Sequence, residues 1–184
     1  MEYLKNYSTF LDFSKNNNIE TTIKMIFNQF NNLHNKKIKI NKSNFEDNLR
    51  LETYKKIEKR FLKIENIIYK YKFIKKVNGI KILSYNKILG LIKNYIENLI
   101  INKKENYFYN PIHGDPHSTN ILINHNNNIK FIDPKGKFGK SVFYGMKEYD
   151  YAKFYFGLAG YSYFDTKNVD NLDLDKDNLN IKIK

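Results

Sequence analysis

The chain has 184 residues, a formal net charge of +13, no cysteine and only two arginines, Arg50 and Arg60. Without cysteine there is no disulfide framework and no thiolate chemistry. No segment approaches the ~18 uninterrupted apolar residues of a membrane span, and the N-terminus lacks a basic stretch followed by an apolar core, so a cytoplasmic protein is expected.

The positive charge invites a nucleic-acid reading, and a basic nucleic-acid-binding protein is one alternative for this chain. Arginine is the usual choice for bidentate recognition of phosphates and bases, yet nearly half the residues are Lys, Asn or Ile. That bias fits an AT-rich coding sequence, with the lysines on solvated helix faces, and no nucleic-acid partner is expected.

The first hundred residues read as helical. After an Asn loop at 16–18, Thr21 and Thr22 precede Ile23, Ile26, Phe27, Phe30 and Leu33, an apolar stripe of about four turns. Ser43-Asn44-Phe45-Glu46 has the form of a capping box. Beyond it Leu49, Ile57, Phe61, Ile64, Ile68 and Tyr71 predict one long helix. A turn at Gly79 leads to a helix capped by Ser84 and carrying Ile88, Leu91, Ile92, Tyr95, Ile96 and Leu99. All three stripes are expected to be core, since nothing polar converges along them.

The chemistry lies further on. His113-Gly114-Asp115-Pro116-His117-Ser118-Thr119-Asn120 is followed by apolar Ile121 to Ile123, an Asn-rich turn at 124–128, and apolar Ile129 to Ile132 leading into Asp133-Pro134-Lys135-Gly136. Two apolar runs joined by a polar turn predict a hairpin, which would return Asp133 beside Asn120. An aspartate, an asparagine five residues on and a second aspartate match what phosphoryl transfer demands: orientation of an acceptor hydroxyl and hard oxygen ligands for Mg²⁺ on ATP. Asp115 is the candidate for the hydroxyl, and Asn120 and Asp133 for the metal and its nucleotide. His113, His117 and His125 lack the ligand pattern and thiolates of a zinc site; His113 is expected to brace the loop. Asp150 either caps a helix or accepts hydrogen bonds from the loop. The aromatics Phe154, Tyr155, Phe156, Tyr161, Tyr163 and Phe164 are expected to pack around that loop. The alternating Asp and Leu from Val169, then Ile181-Lys182-Ile183-Lys184, predict an open edge strand.

From Tyr109 to about Phe164 the chain resembles the aminoglycoside phosphotransferase and choline kinase superfamily, the small-molecule branch of the protein-kinase fold. Within it, Ile112 to Asp115, Asn120-Ile121-Leu122, Ile132 to Gly139, Tyr149-Asp150-Tyr151-Ala152-Lys153 and Gly157 to Tyr161 look most like phosphotransferase-type proteins of bacterial capsule loci. The resemblance implies Asp115 as catalytic base, Asn120 and Asp133 as ligands of Mg²⁺ with ATP, and His113, Gly114, Gly136 and Asp150 as structural support. Gly114 and Pro134 stand where protein kinases carry arginine and phenylalanine, and no Ala-Pro-Glu occurs, so a small-molecule acceptor is implied rather than a protein.

The fold expected is α+β, a mostly helical C-terminal lobe of the kinase-like fold with a small catalytic-loop hairpin and no N-terminal lobe. It would form a single domain, with a helical part at 1–105, a catalytic and metal-binding part at 106–165 and a tail at 166–184. Neither Gly79 nor Gly90 sits in a Gly-x-Gly cover, no Val-Ala-x-Lys strand occurs, and Met1 to Leu4 looks like the hinge that follows such a lobe. The function expected is transfer of phosphate from ATP to a hydroxyl of a sugar, polyol or amino alcohol in capsule or surface-polysaccharide synthesis. The alternative is an incomplete remnant or split half needing a separately encoded N-terminal lobe or nucleotidyltransferase domain.

Overall fold

The computed structural model describes residues 4–104, 106–161 and 169–183. In chain order the elements are β1 (Tyr7–Thr9), α1 (Phe10–Ser14), α2 (Ile19–Leu33), β2 (Ile38–Lys39), α3 (Lys42–Glu52), α4 (Tyr54–Lys70), β3 (Lys76–Val77), β4 (Ile80–Lys81) and α5 (Tyr85–Asn102). There follow β5 (Phe108–Pro111), a 3₁₀ turn at Ser118–Asn120, β6 (Ile121–Asn124), β7 (Ile129–Phe131), β8 (Lys137–Phe138), β9 (Ser141–Val142) and β10 (Tyr144–Gly145). Last come α6 (Lys147–Phe156), a π-helical turn at Gly157–Tyr161, β11 (Val169–Asp175) and β12 (Asn178–Ile183). The protein is therefore α+β, and it gathers into two compact units, one of residues 4–41 with 106–161, the other of 42–104 with 169–183.

In the first unit, α2 starts earlier than the threonines predicted. Asn18 caps it, its side-chain oxygen accepting from Thr21 N at 3.0 Å, a stronger stop for orphan helix-end amides than threonine offers. Ile26 and Phe30 are buried with Phe10, Phe13, Ile121, Ile123 and Phe154, while Ile23 and Leu33 pack at the margin. Phe30 is the hub, with ring centroids 4.8 Å from Phe131, 5.5 Å from Tyr151 and 5.9 Å from Phe154. β6 pairs antiparallel with both β1 and β7, so the expected hairpin forms, and its register sets Ile121 opposite Phe131 and Ile123 opposite Ile129. Of the aromatics near residue 160, Phe154 enters this core rather than wrapping the loop, and Tyr155 and Phe156 are exposed. Tyr163 and Phe164 lie outside the described residues, as do Met1 to Tyr3 of the expected hinge.

In the second unit the predicted long helix is two. Thr53 interrupts it with φ −104° and ψ −111°, and its hydroxyl donates to Leu49 O at 2.6 Å. Ser43 falls inside the first turn of α3, so it does not stand ahead of the helix as a capping box requires. Ser84 does cap α5, accepting from Lys87 N. The core here is Phe45, Leu49, Tyr54, Ile96 and Ile100. The apolar stripes of α4 and α5 bury only in part: Ile64, Tyr71, Ile88, Leu91 and Tyr95 are exposed, contrary to the core expected of them. Periodicity gave the helices but not the width of the face that packs.

Arg50 locks these helices. Its Nε and Nη2 donate to the two oxygens of Glu97 at 2.9 Å each, its Nη1 donates to Glu46 at 3.2 Å, and Tyr54 Oη donates to Glu97 at 2.8 Å. The Arg50 and Tyr54 hydrogen bonds hold the Glu97 carboxyl down at about 2, against a smaller opposing push from burial.

The tail differs from the open edge strand expected. β12 pairs antiparallel with β11 and, at Asn178 and Leu179, parallel with β3, so the final strand is internal and β11 and β4 are the edges. Asn78, at φ 49°, and Gly79, at φ 77°, form the two-residue turn of the β3–β4 hairpin, the left-handed pair an Asn-Gly turn needs. Asn78 then extends the ladder with its side chain, accepting from Ile181 N at 2.7 Å and donating to Ile181 O at 3.2 Å.

Candidate functional site

The site belongs to the first unit and is built on two backbone lines. β5 delivers His113, Gly114 and Asp115; the β6–β7 hairpin delivers Asn120 at one end and Asp133 just past the other. The ladder runs one step beyond the strands, with Ile132 N donating to Asn120 O at 3.0 Å. Asn120 and the residue preceding Asp133 are thus paired directly.

Asp150, the fourth residue of α6, is fully buried. Its carboxylate accepts from His113 N at 2.8 Å and from Gly114 N at 2.7 Å, with His34 Nε2 3.0 Å away. A buried carboxylate is costly unless its lone pairs are met, and here a loop's own amides meet them. Between helix cap and loop acceptor, the second role is the one Asp150 fills. His113 donates from Nε2 to Ile132 O at 2.8 Å and its Nδ1 accepts from Asp115 N at 3.2 Å, the pattern of a neutral ring. One imidazole therefore spans from the Asp115 loop to the strand end that carries Asp133.

Gly114 and Gly136 meet backbone to backbone. Gly114 has φ 84°, and a Cβ there would stand 3.0 Å from Gly136 N, which itself donates to His113 O at 2.7 Å. Gly136 has φ 51°. Both positions require the left-handed backbone that glycine adopts without steric cost. Asp133 is also left-handed, at φ 54°, a conformation that costs a non-glycine residue energy and persists only where its surroundings impose it.

The loop turns tightly after Asp115: His117 N donates to Asp115 O at 2.9 Å, and Asn120 Nδ2 donates to the same oxygen at 3.1 Å. That bond commits the amide nitrogen of Asn120 and leaves its Oδ1 as a lone-pair donor. Asp133 is exposed and Asn120 buried. Asp115 is half-buried, and its Oδ1 accepts from Lys153 Nζ at 3.0 Å. Burial pushes the Asp115 carboxyl up, but Lys153, with help from Lys135 and His117, outweighs it and holds the group below its ordinary value.

Asp115, Asn120, His113, Gly114, Gly136 and Asp150 thus share one connected hydrogen-bonded or packed network, and Asp133 adjoins it through Ile132. His125 lies exposed in the hairpin turn. Among the described residues no three His, Cys, Asp or Glu side chains group as metal ligands. Asn120 Oδ1 and the Asp133 carboxylate are hard oxygen donors of the kind Mg²⁺ accepts alongside water and substrate phosphates.

Sequence reasoning passed over two members. His34, 116 residues before Asp150, left no local signal. Lys153 had one: it follows Asp150 by three residues, the spacing that sets two side chains on one helix face. No family model, no curated protein and no solved structure matches the chain.

Proposed function

We propose that this chain carries the transfer site of an ATP- and Mg²⁺-dependent phosphotransferase, as the C-terminal lobe of a kinase-like fold. The observation that carries the reading is the double clamp on the loop. Asp150 binds the amides of His113 and Gly114, and His113 ties the same loop to the strand end before Asp133. Such rigid placement suits a reaction in which the protein chiefly positions groups and neutralises charge. Asp115 orients the acceptor hydroxyl and takes its proton; the hydroxyl oxygen bonds to the γ-phosphorus as the bond to the β–γ bridging oxygen breaks and ADP leaves. Asn120 and Asp133 hold Mg²⁺, which neutralises the phosphates when bound.

The acceptor is a hydroxyl of a sugar, polyol or amino alcohol, in a cytoplasmic step of capsule or surface-polysaccharide synthesis. No described helix is long and apolar enough to cross a membrane. A partner lobe belongs to the proposal. The glycines preceding Gly114 serve elsewhere, Gly79 in a hairpin turn and Gly90 within α5, so the cover over ATP and its phosphate-pairing lysine come from an N-terminal lobe outside these residues, with a nucleotidyltransferase domain as a further partner. In contrast, one of the two arginines, Arg50, is committed to Glu97 and Glu46, which argues against a nucleic-acid reading.

The test is ATP-dependent phosphorylation of a panel of sugars, polyols and amino alcohols, with and without a kinase-type N-terminal lobe supplied in trans. Transfer abolished by Asp115→Ala supports the assignment. Transfer undiminished in that variant would remove Asp115 from its role, and no transfer in either condition would remove the reading.

A further inference from the structure

The ammonium of Lys153 lies 3.0 Å from Asp115 Oδ1, and the two side chains are 25% and 29% exposed. From His113 to Asn120 the loop carries no lysine or arginine of its own, so its cation arrives from α6. Asp150 and Lys153 sit three residues apart on that helix, and each grips a different part of the loop. Asp150 holds backbone amides, whereas Lys153 holds the side chain the loop presents. The ring of Tyr149 steadies the ammonium from 5.9 Å.

We propose that Lys153 is the positioning residue of the transfer site, occupying Oδ1 so that Asp115 turns Oδ2 toward the acceptor hydroxyl. This rests on the phosphotransferase reading and adds a residue to it. A free aspartate can rotate and offer either oxygen; one oxygen bonded to a helix-borne lysine cannot. Because displacement of a reacting group by about 1 Å can cost about a hundredfold in rate, the effect falls on turnover. Binding of ATP or acceptor makes no use of the contact.

Two readouts on the full chain, with its lobe if transfer requires one, decide the matter. Lys153→Met is expected to lower kcat about ten- to a hundredfold with KM for ATP and acceptor within about twofold, and Lys153→Arg to recover most of the loss, since guanidinium also bonds carboxylate. Independently of turnover, ¹⁵N NMR of the lysine ammonium groups should show a hydrogen-bonded Lys153 signal that disappears in Asp115→Ala. A wild-type kcat in Lys153→Met, an Arg variant no better than Met, or a Lys153 signal indifferent to Asp115→Ala would each overturn the proposal. A bonded Lys153 signal in a protein that transfers phosphate to nothing would instead sink the phosphotransferase reading, and the role of Lys153 with it.

Discussion

Asp150 in one unit and Glu97 in the other are both carboxylates that collect several donors, and what they hold differs. Glu97 takes a guanidinium and a phenol, side chains of α3 and α4, so its bonds fasten helices together. Asp150 takes two consecutive amides of an irregular loop. A loop so held cannot drift, while the Asp115 that follows it stays half-exposed. The half-buried charge of the second unit serves packing; the fully buried charge of the first holds the loop that presents Asp115.

This contrast can be broken by substitution. Asp150→Ala strands two amides and His34 in the interior and should cost about 3–5 kcal/mol, read by urea denaturation; a loss under 1 kcal/mol would mean that the loop is held by something else. Glu97→Gln neutralises one of the two carboxylates on Arg50, leaving Glu46, and should cost about 1–3 kcal/mol without altering any ligand binding by the first unit. Gly114→Ala places a Cβ against Gly136 N in a left-handed backbone and should cost about 1–3 kcal/mol, with transfer lost more than stability.

The pH dependence sharpens the same point. Glu97 has a folded value of about 2 against an ordinary 4.5. The group therefore stabilises fully above its unfolded value, and that contribution fades as pH falls from about 4.5 toward 2. Denaturation midpoints followed through this range should drop in the wild type and drop less in Arg50→Met. Equal slopes would remove the clamp from the account. The smallest effect is expected on the exposed side of α4, where Ile64 is 46% exposed: Ile64→Ser should stay within about 0.5 kcal/mol, whereas a loss of about 2 kcal/mol would restore the core expected of the apolar stripe.

What the sequence made legible follows the range of the forces involved. The β6–β7 hairpin and the Ser84 cap were readable because each is settled by neighbours in sequence. The break at Thr53 was not, since an apolar stripe continues across it. Asn78-Gly79 carried a two-residue hairpin signal, but its strands are only two residues each and were lost among helical periodicity. β12 was visible as a strand, while its pairing with β3, a hundred residues earlier, was beyond any local pattern. At the site the loop residues stood out by type and spacing. The supports from distant sequence did not: His34 has no signature, and Lys153 was one lysine among thirty-two basic residues.

The central claim is that Asn120 and Asp133 form a Mg²⁺ and phosphate site beside Asp115. Calorimetric titration of Mg·ATP into the full chain, joined to its lobe if binding requires it, tests this most directly. Binding in the wild type, weakened at least about tenfold in Asp133→Ala and retained in Asp115→Asn, is the result predicted. Equal binding in the wild type and Asp133→Ala, or none in the wild type, would contradict it.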